Sequence, residues 1–206
     1  AVYIDGVRSP DPLSLEETYA AVSGCGGMAW IGLYRPDVQE IRSVADEFGL
    51  HELAVEDAVS AHQRPKMERY DNVLFSVLRP ARYLDDVELV EFGELHIFTG
   101  PNFIVTVRHA ESPDIGTVRS RLEANPSLLR LGPEAVLYAI VDQVVDEYSP
   151  VIAGIENDID EIEAELFNRD TDVSRRIYQL SREVVEFQRA THPLTDMLEN
   201  LIKGFD

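Results

Sequence analysis

Carboxylates are the residues of this sequence whose number and spacing could do chemistry. The chain has 38 acidic and 18 basic residues, for a formal net charge of −20. Positions 134–170 carry eleven acids and one base, Arg169. Carboxylates that crowd on a helix without basic partners repel one another, and divalent cations that prefer oxygen ligands would relieve that repulsion. The local pattern also fits the solvated face of an amphipathic helix, which is the commoner explanation of such a run.

Two smaller groups of acids are better placed to bind a metal ion. Asp142 is predicted on the polar face of a helix, opposite an apolar face formed by Leu137, Ile140, Val141, Val144 and Val145. Glu56 and Asp57 are adjacent on a short helix predicted at about 52–60. Neighbouring helical residues point in different directions, so this pair needs ligands from elsewhere, for example from another subunit. Taken alone, such acids are more often surface residues than ligands.

Other chemistries find no support in the sequence. There is no P-loop and no H-E-x-x-H motif, and the five histidines lack zinc-ligand spacing. The strongly acidic surface would repel nucleic acid, because phosphate binding needs clustered lysine and arginine. Cys25 is the only cysteine, which excludes an intrachain disulfide. No constellation of residues indicates an enzyme.

The first 133 residues alternate short apolar runs with helical patterns. Strands are predicted at 28–34, 72–78, 89–98 and 103–107, with a hairpin turn at 100–102. Helices are predicted from Pro36 and Asp37 to Gly49, at 52–60 and at 114–124. Strands bounded by helices on both sides predict an α/β domain, a helix-covered β-sheet sandwich over residues 1–133.

From Gly132 and Pro133 onward the pattern is helical. Apolar residues recur by three and four at Ile152, Ile155, Ile159, Ile162 and Leu166, and the pattern resumes from Val173 to Leu201 after a polar break at 168–172. This predicts a long antiparallel helical hairpin over residues 134–206. No run of 18 apolar residues is present. Both ends interrupt a pattern, so we expect the chain to continue in a longer protein.

Several stretches resemble the CorA family of magnesium and cobalt transporters. They are Leu53-Ala54-Val55-Glu56-Asp57-Ala58, His62-Gln63-Arg64-Pro65-Lys66-Met67-Glu68, Tyr70-Asp71-Asn72-Val73-Leu74-Phe75, Leu137-Tyr138-Ala139-Ile140-Val141-Asp142, Asp146-Glu147-Tyr148 and His192-Pro193-Leu194. The resemblance covers nearly the whole chain. A Glu-Asp pair followed closely by His-Gln-Arg-Pro-Lys is its most specific part.

The resemblance implies a role in divalent-cation transport. The chain would be the cytoplasmic sensing and gating domain of a homopentameric channel in the cell membrane, whose hairpin leads into a stalk helix. The membrane helices would lie outside this chain. Carboxylates matching Glu56, Asp57 and Asp142 would contribute to regulatory sites between neighbouring subunits, which would bind Mg²⁺ and could also accept Co²⁺ or other divalent cations. A further stalk aspartate would complete those sites beyond position 206.

Two alternatives remain open from the sequence. The zinc-transporting branch of the same family shares the fold, although the Glu-Asp pair and the His-Gln-Arg-Pro-Lys stretch look more like the magnesium branch. The helical hairpin could instead dock on another protein, in a module that senses no metal. Two apolar segments of about 20 residues following this chain would favour the transporter.

Overall fold

The computed structural model describes residues 1–10, 14–25, 27–60, 63–168 and 173–204. Nine strands are described: β1 (Val2–Ile4), β2 (Val7–Arg8), β3 (Met28–Tyr34), β4 (Lys66–Tyr70), β5 (Val73–Leu78), β6 (Ala81–Leu84), β7 (Leu89–Phe92), β8 (Leu95–Thr99) and β9 (Phe103–Arg108). The helices are α1 (Leu15–Cys25), α2 (Val38–Phe48), α3 (Glu52–Ser60), α4 (Ile115–Glu123), α5 (Pro126–Leu129), α6 (Pro133–Asn168) and α7 (Val173–Lys203).

Seven strands form one mixed sheet in the order β2-β1-β3-β9-β8-β5-β4. Only β3 and β9 are parallel, and the other neighbouring strands of this sheet pair antiparallel. The remaining strands, β6 and β7, form a separate two-stranded hairpin. The predicted strand at 89–98 is therefore wrong, because the chain leaves one sheet and enters the other at Gly93. A side chain there would clash, since an ideal Cβ would lie 2.2 Å from the Cβ of Ala110.

Helices cover both faces of the large sheet. Alternate strand residues divide between two apolar clusters, so that Trp30 packs towards α4, α6 and α7, whereas Ala29 packs towards α1, α2 and α3. This confirms the predicted helix-covered sheet, followed by two long helices. Ile140 and Leu194 belong to the same cluster as Trp30, so α6 and α7 share the core of the sheet. The division into domains at residue 133 stays a prediction.

Local signals fix α2 where the sequence predicts it. Asp37 accepts hydrogen bonds from the backbone N–H groups of Gln39 and Glu40, and the Glu40 side chain accepts from the Asp37 N–H, which completes a capping box. Gly49 ends the helix in the left-handed conformation at φ 62°, which glycine adopts without strain.

The two long helices run antiparallel. Arg176 near the start of α7 contacts Glu165 near the end of α6, while the ring of Phe187 packs on Tyr148, with ring centroids 5.3 Å apart. Of the polar break predicted at 168–172, residues 169–172 lie outside the described residues, as does His62 of the recognised motif, whereas Asn168 is the last residue of α6. No helix within the described ranges has both the length and the apolar composition needed to cross a membrane.

Candidate functional site

The Glu56–Asp57 pair lies on the outer side of α3. Ala54 and Ala58 of this helix are buried against the sheet, which turns Glu56 outward and leaves Asp57 half-buried. At the start of the helix, the Leu53 N–H donates to Nδ1 of His51 over 3.3 Å. The short helix therefore presents both carboxylates from a fixed backbone, at one edge of the layer that covers the sheet.

Asp57 is paired with a lysine from β4. The Lys66 ammonium lies 2.8 Å from Asp57 Oδ2 and 2.7 Å from Glu68 Oε2, and the Tyr70 hydroxyl donates to the same Glu68 oxygen. Burial alone would lower the pKa of Lys66, but the hydrogen bonds to Asp57 and Glu68 hold it above its usual value. The cation and the sheet edge therefore hold the Asp57 carboxylate in place, while about a quarter of its side chain stays exposed to solvent (24%).

A buried polar cluster fixes the segment that follows the pair. Nε2 of His109 lies 3.1 Å from the carbonyl oxygen of Ala58, and the Gln63 N–H donates to Glu94 Oε1 over 3.1 Å. Glu94 is only 6% exposed and lies 2.8 Å from Nε2 of the fully buried His96, although this contact lacks hydrogen-bond alignment. These contacts tie the end of α3 and the chain after it to the interior of the sheet.

Asp142 lies near the first turns of α6. Its Oδ2 is 3.5 Å from a guanidinium nitrogen of Arg121 on α4, which also donates to the Ala139 carbonyl. The side chain of Asp142 is 42% exposed. It borders a largely apolar cavity of about 680 Å³ between α6, the end of α7 and the sheet. Val145, predicted on the apolar face, is 42% exposed, so the buried face of α6 is narrower than the sequence indicates.

The structure does not bring the predicted ligands into one cluster within a single chain. Among the described residues, the group of three potential metal ligands whose ligand atoms all lie within 4.8 Å of one another is Glu88, Asp158 and Glu161. Sequence reasoning missed Glu88, which lies 70 and 73 positions before Asp158 and Glu161, at the turn between β6 and β7. Their proximity depends on where that hairpin packs against α6, and no local signal reports it.

A guanidinium already pairs with two of the three carboxylates in this second acidic group. Arg176 of α7 lies 2.7 Å from Glu88 and 3.1 Å from Glu161, and it also pairs with Glu165. Asp158 is 5% exposed and accepts a hydrogen bond of 2.7 Å from the Tyr83 hydroxyl. The sequence suggested that a divalent cation would relieve the repulsion between crowded acids. At this place, a basic residue of the chain itself relieves part of it.

Glu183 adds a further carboxylate beside this group and predicts a pH effect. Burial raises the pKa of Glu183, and the charge of Asp158 adds to the rise, although hydrogen bonds from the Val90 N–H and Gln179 oppose it. Because the folded-state pKa lies above the unfolded-state value, the folded chain binds this proton more tightly. The stability contributed by the protonated group is present at low pH and is lost as pH rises through the folded-state pKa.

We therefore expect Glu183→Gln to stabilise the fold at pH 7, by less than about 1 kcal/mol because solvent screens a half-exposed site. Urea unfolding at pH 7 and at about pH 4 measures the gain, which should fall at the lower pH. Glu186→Gln, an exposed position on the same helix, is the matched control. An equal gain at both pH values would contradict this assignment.

Comparisons with known proteins place the chain in a family. The family model described as "CorA-like Mg2+ transporter protein" matches residues 26–206. The protein YfjQ of Bacillus subtilis (strain 168) is 34% identical over 174 residues, which cover 84% of this chain and 53% of that protein. The Cobalt/magnesium transport protein CorA of Thermotoga maritima is 30% identical over 179 residues, covering 84% of this chain and 50% of that protein.

Comparison with solved structures finds a CorA domain with a similar fold. The structure of the soluble domain of CorA from Methanocaldococcus jannaschii matches with a TM-score of 0.70 at 20% identity, over 84% of this chain and 69% of that one. The chain spans about half the length of the curated relatives it matches. The family is one of transporters rather than enzymes. Because the family model matches residues 26–206, this chain belongs to the CorA family.

Proposed function

We propose that this chain is the cytoplasmic divalent-cation-sensing and gating domain of a CorA-type magnesium channel, which would also carry cobalt. The observation that carries the proposal is the placement of Glu56, Asp57 and Asp142. They are wholly or partly exposed carboxylates on two separate helices of a CorA-family chain. The resemblance in the sequence implies that these three positions match regulatory acids of the family. The membrane-spanning part and a homopentameric assembly belong to the proposal.

The donor chemistry suits Mg²⁺, which takes oxygen ligands and keeps several of its waters. Asp57 and Asp142 each have one basic partner, at 2.8 and 3.5 Å, so each is held in place while part of its carboxylate faces solvent. One chain does not supply a complete set of ligands from these residues. The site we propose is therefore shared, with carboxylates of one copy facing those of its neighbour across a hydrated ion.

Gating would follow from the charge of these surfaces. With a net charge of −20 per chain, neighbouring copies repel one another unless cations lie between them. Intracellular Mg²⁺ bound at the shared sites would hold the closed arrangement. When Mg²⁺ falls, repulsion between the carboxylates would loosen the ring. This is a shift between two populations, driven by the higher affinity of the closed state for the ion.

The test is the magnesium response of the full-length transporter carrying Asp57→Ala and Asp142→Ala. The fold should survive, because both sites are partly exposed. Current or uptake measured over a series of internal Mg²⁺ concentrations should show inhibition moved to at least about tenfold higher Mg²⁺, because the closed state has lost differential affinity. Removing acids also relieves repulsion, so the readout is the Mg²⁺ dependence and not the total flux.

The matched control removes two exposed acids from elsewhere, Asp46→Ala and Asp196→Ala, with the same change in net charge. Its magnesium response should follow the wild type. Superimposed curves for the wild type and the Asp57, Asp142 variant would show that these carboxylates are surface acids. A shift of equal size in the control would show that the effect arises from the change in net charge alone.

A further inference from the structure

Two apolar rows on the long helices remain exposed. The sequence predicts one continuous apolar stripe on α6, but the structure buries Ile155 and Ile162 and leaves Ile152, Ile159 and Leu166 between 41 and 54% exposed. These three residues repeat every seven positions, about 10.5 Å along a helix. On α7, Tyr178 is 67% and Val185 is 43% exposed, again seven positions apart.

Charges of opposite sign flank the two rows at the same offset. On α6, Glu156 and Glu163 follow Ile152 and Ile159 by four positions. On α7, Arg182 and Arg189 follow Tyr178 and Val185, likewise by four positions. Apolar residues every seven positions, with charges beside them, are the pattern by which helices select partners in coiled coils. Each helix therefore presents half of a helix–helix interface, acidic on α6 and basic on α7.

These charges have no counterpart within one chain. Glu156, Glu163, Arg182 and Arg189 make no hydrogen bond and no ion pair with any residue that the structure describes, and all four are exposed. Arg182 and Arg189 are thus exposed cations without an acidic partner among the described residues, in a chain where acids outnumber bases by 38 to 18. A partner that covers the α7 row must bring carboxylates spaced about 10.5 Å apart, together with apolar side chains.

We propose that the exposed face of α6 (Ile152, Glu156, Ile159, Glu163 and Leu166) packs against the exposed face of α7 (Tyr178, Arg182, Val185 and Arg189) of a second copy of this chain. The two faces match in spacing, in apolar character and in sign of charge. Because the charge follows the apolar residue by four positions on both helices, the charged rows meet when the helices run in opposite directions. This inference rests on the homo-oligomer of the proposed function and names its contact surfaces.

The contact is heterologous, since it joins two different surfaces. Each copy in such a pair leaves one face unused, so further copies add in the same direction, and heterologous contacts of this kind close into rings when the rotation allows. The contact also offsets part of the repulsion between chains of charge −20, because arginines meet carboxylates where the copies touch.

A reciprocal charge reversal tests the proposal with the 206-residue chain. One variant carries Glu156→Lys and Glu163→Lys, and the other carries Arg182→Glu and Arg189→Glu. Each variant alone brings like charges together, so sedimentation equilibrium should show association at least about tenfold weaker than for the wild type. In an equimolar mixture, the reversed faces meet each other and the unchanged faces meet each other. The mixture should therefore regain association to within about threefold of the wild type.

The controls separate this contact from net charge and from magnesium sensing. Arg42→Glu and Asp46→Lys, exposed changes on α2, should leave association unchanged. A wild-type chain that stays monomeric at millimolar concentration, single variants that associate like the wild type, or a mixture no stronger than its components would each overturn the proposal. Association through these faces without any magnesium response would support this contact and contradict the sensing function. A magnesium response without association through these faces would support the sensing function and contradict this contact.

Discussion

Replacing Glu94 with alanine will lower the free energy of unfolding by about 2–4 kcal/mol, the order expected when one partner of a buried charged contact is removed. Glu94 is 6% exposed and lies 2.8 Å from His96, which has no exposed surface, and 3.8 Å from Arg79. It also accepts the Gln63 N–H. Alanine would leave these polar groups facing an apolar space that gives them no carboxylate partner.

Urea unfolding followed by circular dichroism measures this effect. Glu94→Gln keeps an acceptor for the Gln63 N–H but removes the charge, so it should lower the free energy of unfolding by less than Glu94→Ala does. The difference between the two variants isolates the contribution of the contact with the backbone. Glu91→Ala is the exposed control, on β7 three residues before Glu94, where the pair with Arg82 is worth at most about 1 kcal/mol. A loss for Glu94→Ala no larger than that of Glu91→Ala would mean that the buried cluster contributes nothing to stability.

The parts of the fold that the sequence predicted have local causes. The capping box at Asp37 and the left-handed Gly49 define α2 from residues adjacent in the chain. By contrast, β4 has the sequence Lys-Met-Glu-Arg-Tyr, which lacks a clear apolar alternation, and it forms because it pairs with β5 at the edge of the sheet. The strand predicted at 89–98 failed for the same reason, because the break at Gly93 depends on contact with Ala110, which lies 17 positions later in the segment between β9 and α4.

The candidate site, like the fold, could be predicted from the sequence only in part. Glu56, Asp57 and Asp142 stood out by helical placement and by the family resemblance, and the structure puts them on α3 and α6, wholly or partly exposed. Their cationic partners differ in how far they lie along the chain. Lys66 is part of the recognised motif, whereas Arg121 comes from another helix, 21 positions before Asp142. Periodicity located the apolar stripes of α6 and α7 but overestimated their burial, because it does not report how many neighbours a helix has.

Tyr83 and Asp158 form one of the contacts that join the β6–β7 hairpin to α6. The phenol donates a 2.7 Å hydrogen bond to a carboxylate that is only 5% exposed, and the pKa of Tyr83 is raised by burial and by this bond. The ring lies against Gly154, where an ideal Cβ would come within 2.4 Å of ring atoms. Glycine therefore lets the hairpin approach the helix closely enough for the hydroxyl to reach Asp158.

Tyr83→Phe will cost about 2 kcal/mol, because it keeps the ring in place and leaves a buried carboxylate without its donor. Asp158→Asn removes that charge, so the phenylalanine should cost at least about 1 kcal/mol less in the Asp158→Asn background than in the wild type. Urea unfolding of the wild type, both single variants and the double variant gives this coupling directly. Tyr34→Phe is the matched control, since its hydroxyl bonds to Glu111 at an exposed site and its loss should stay below about 1 kcal/mol. A coupling near zero would show that the bond between the phenol and Asp158 contributes nothing to stability, and that the hairpin is held by its other contacts, such as the packing of the ring on Gly154 and the Arg176 bridge between Glu88 and Glu161.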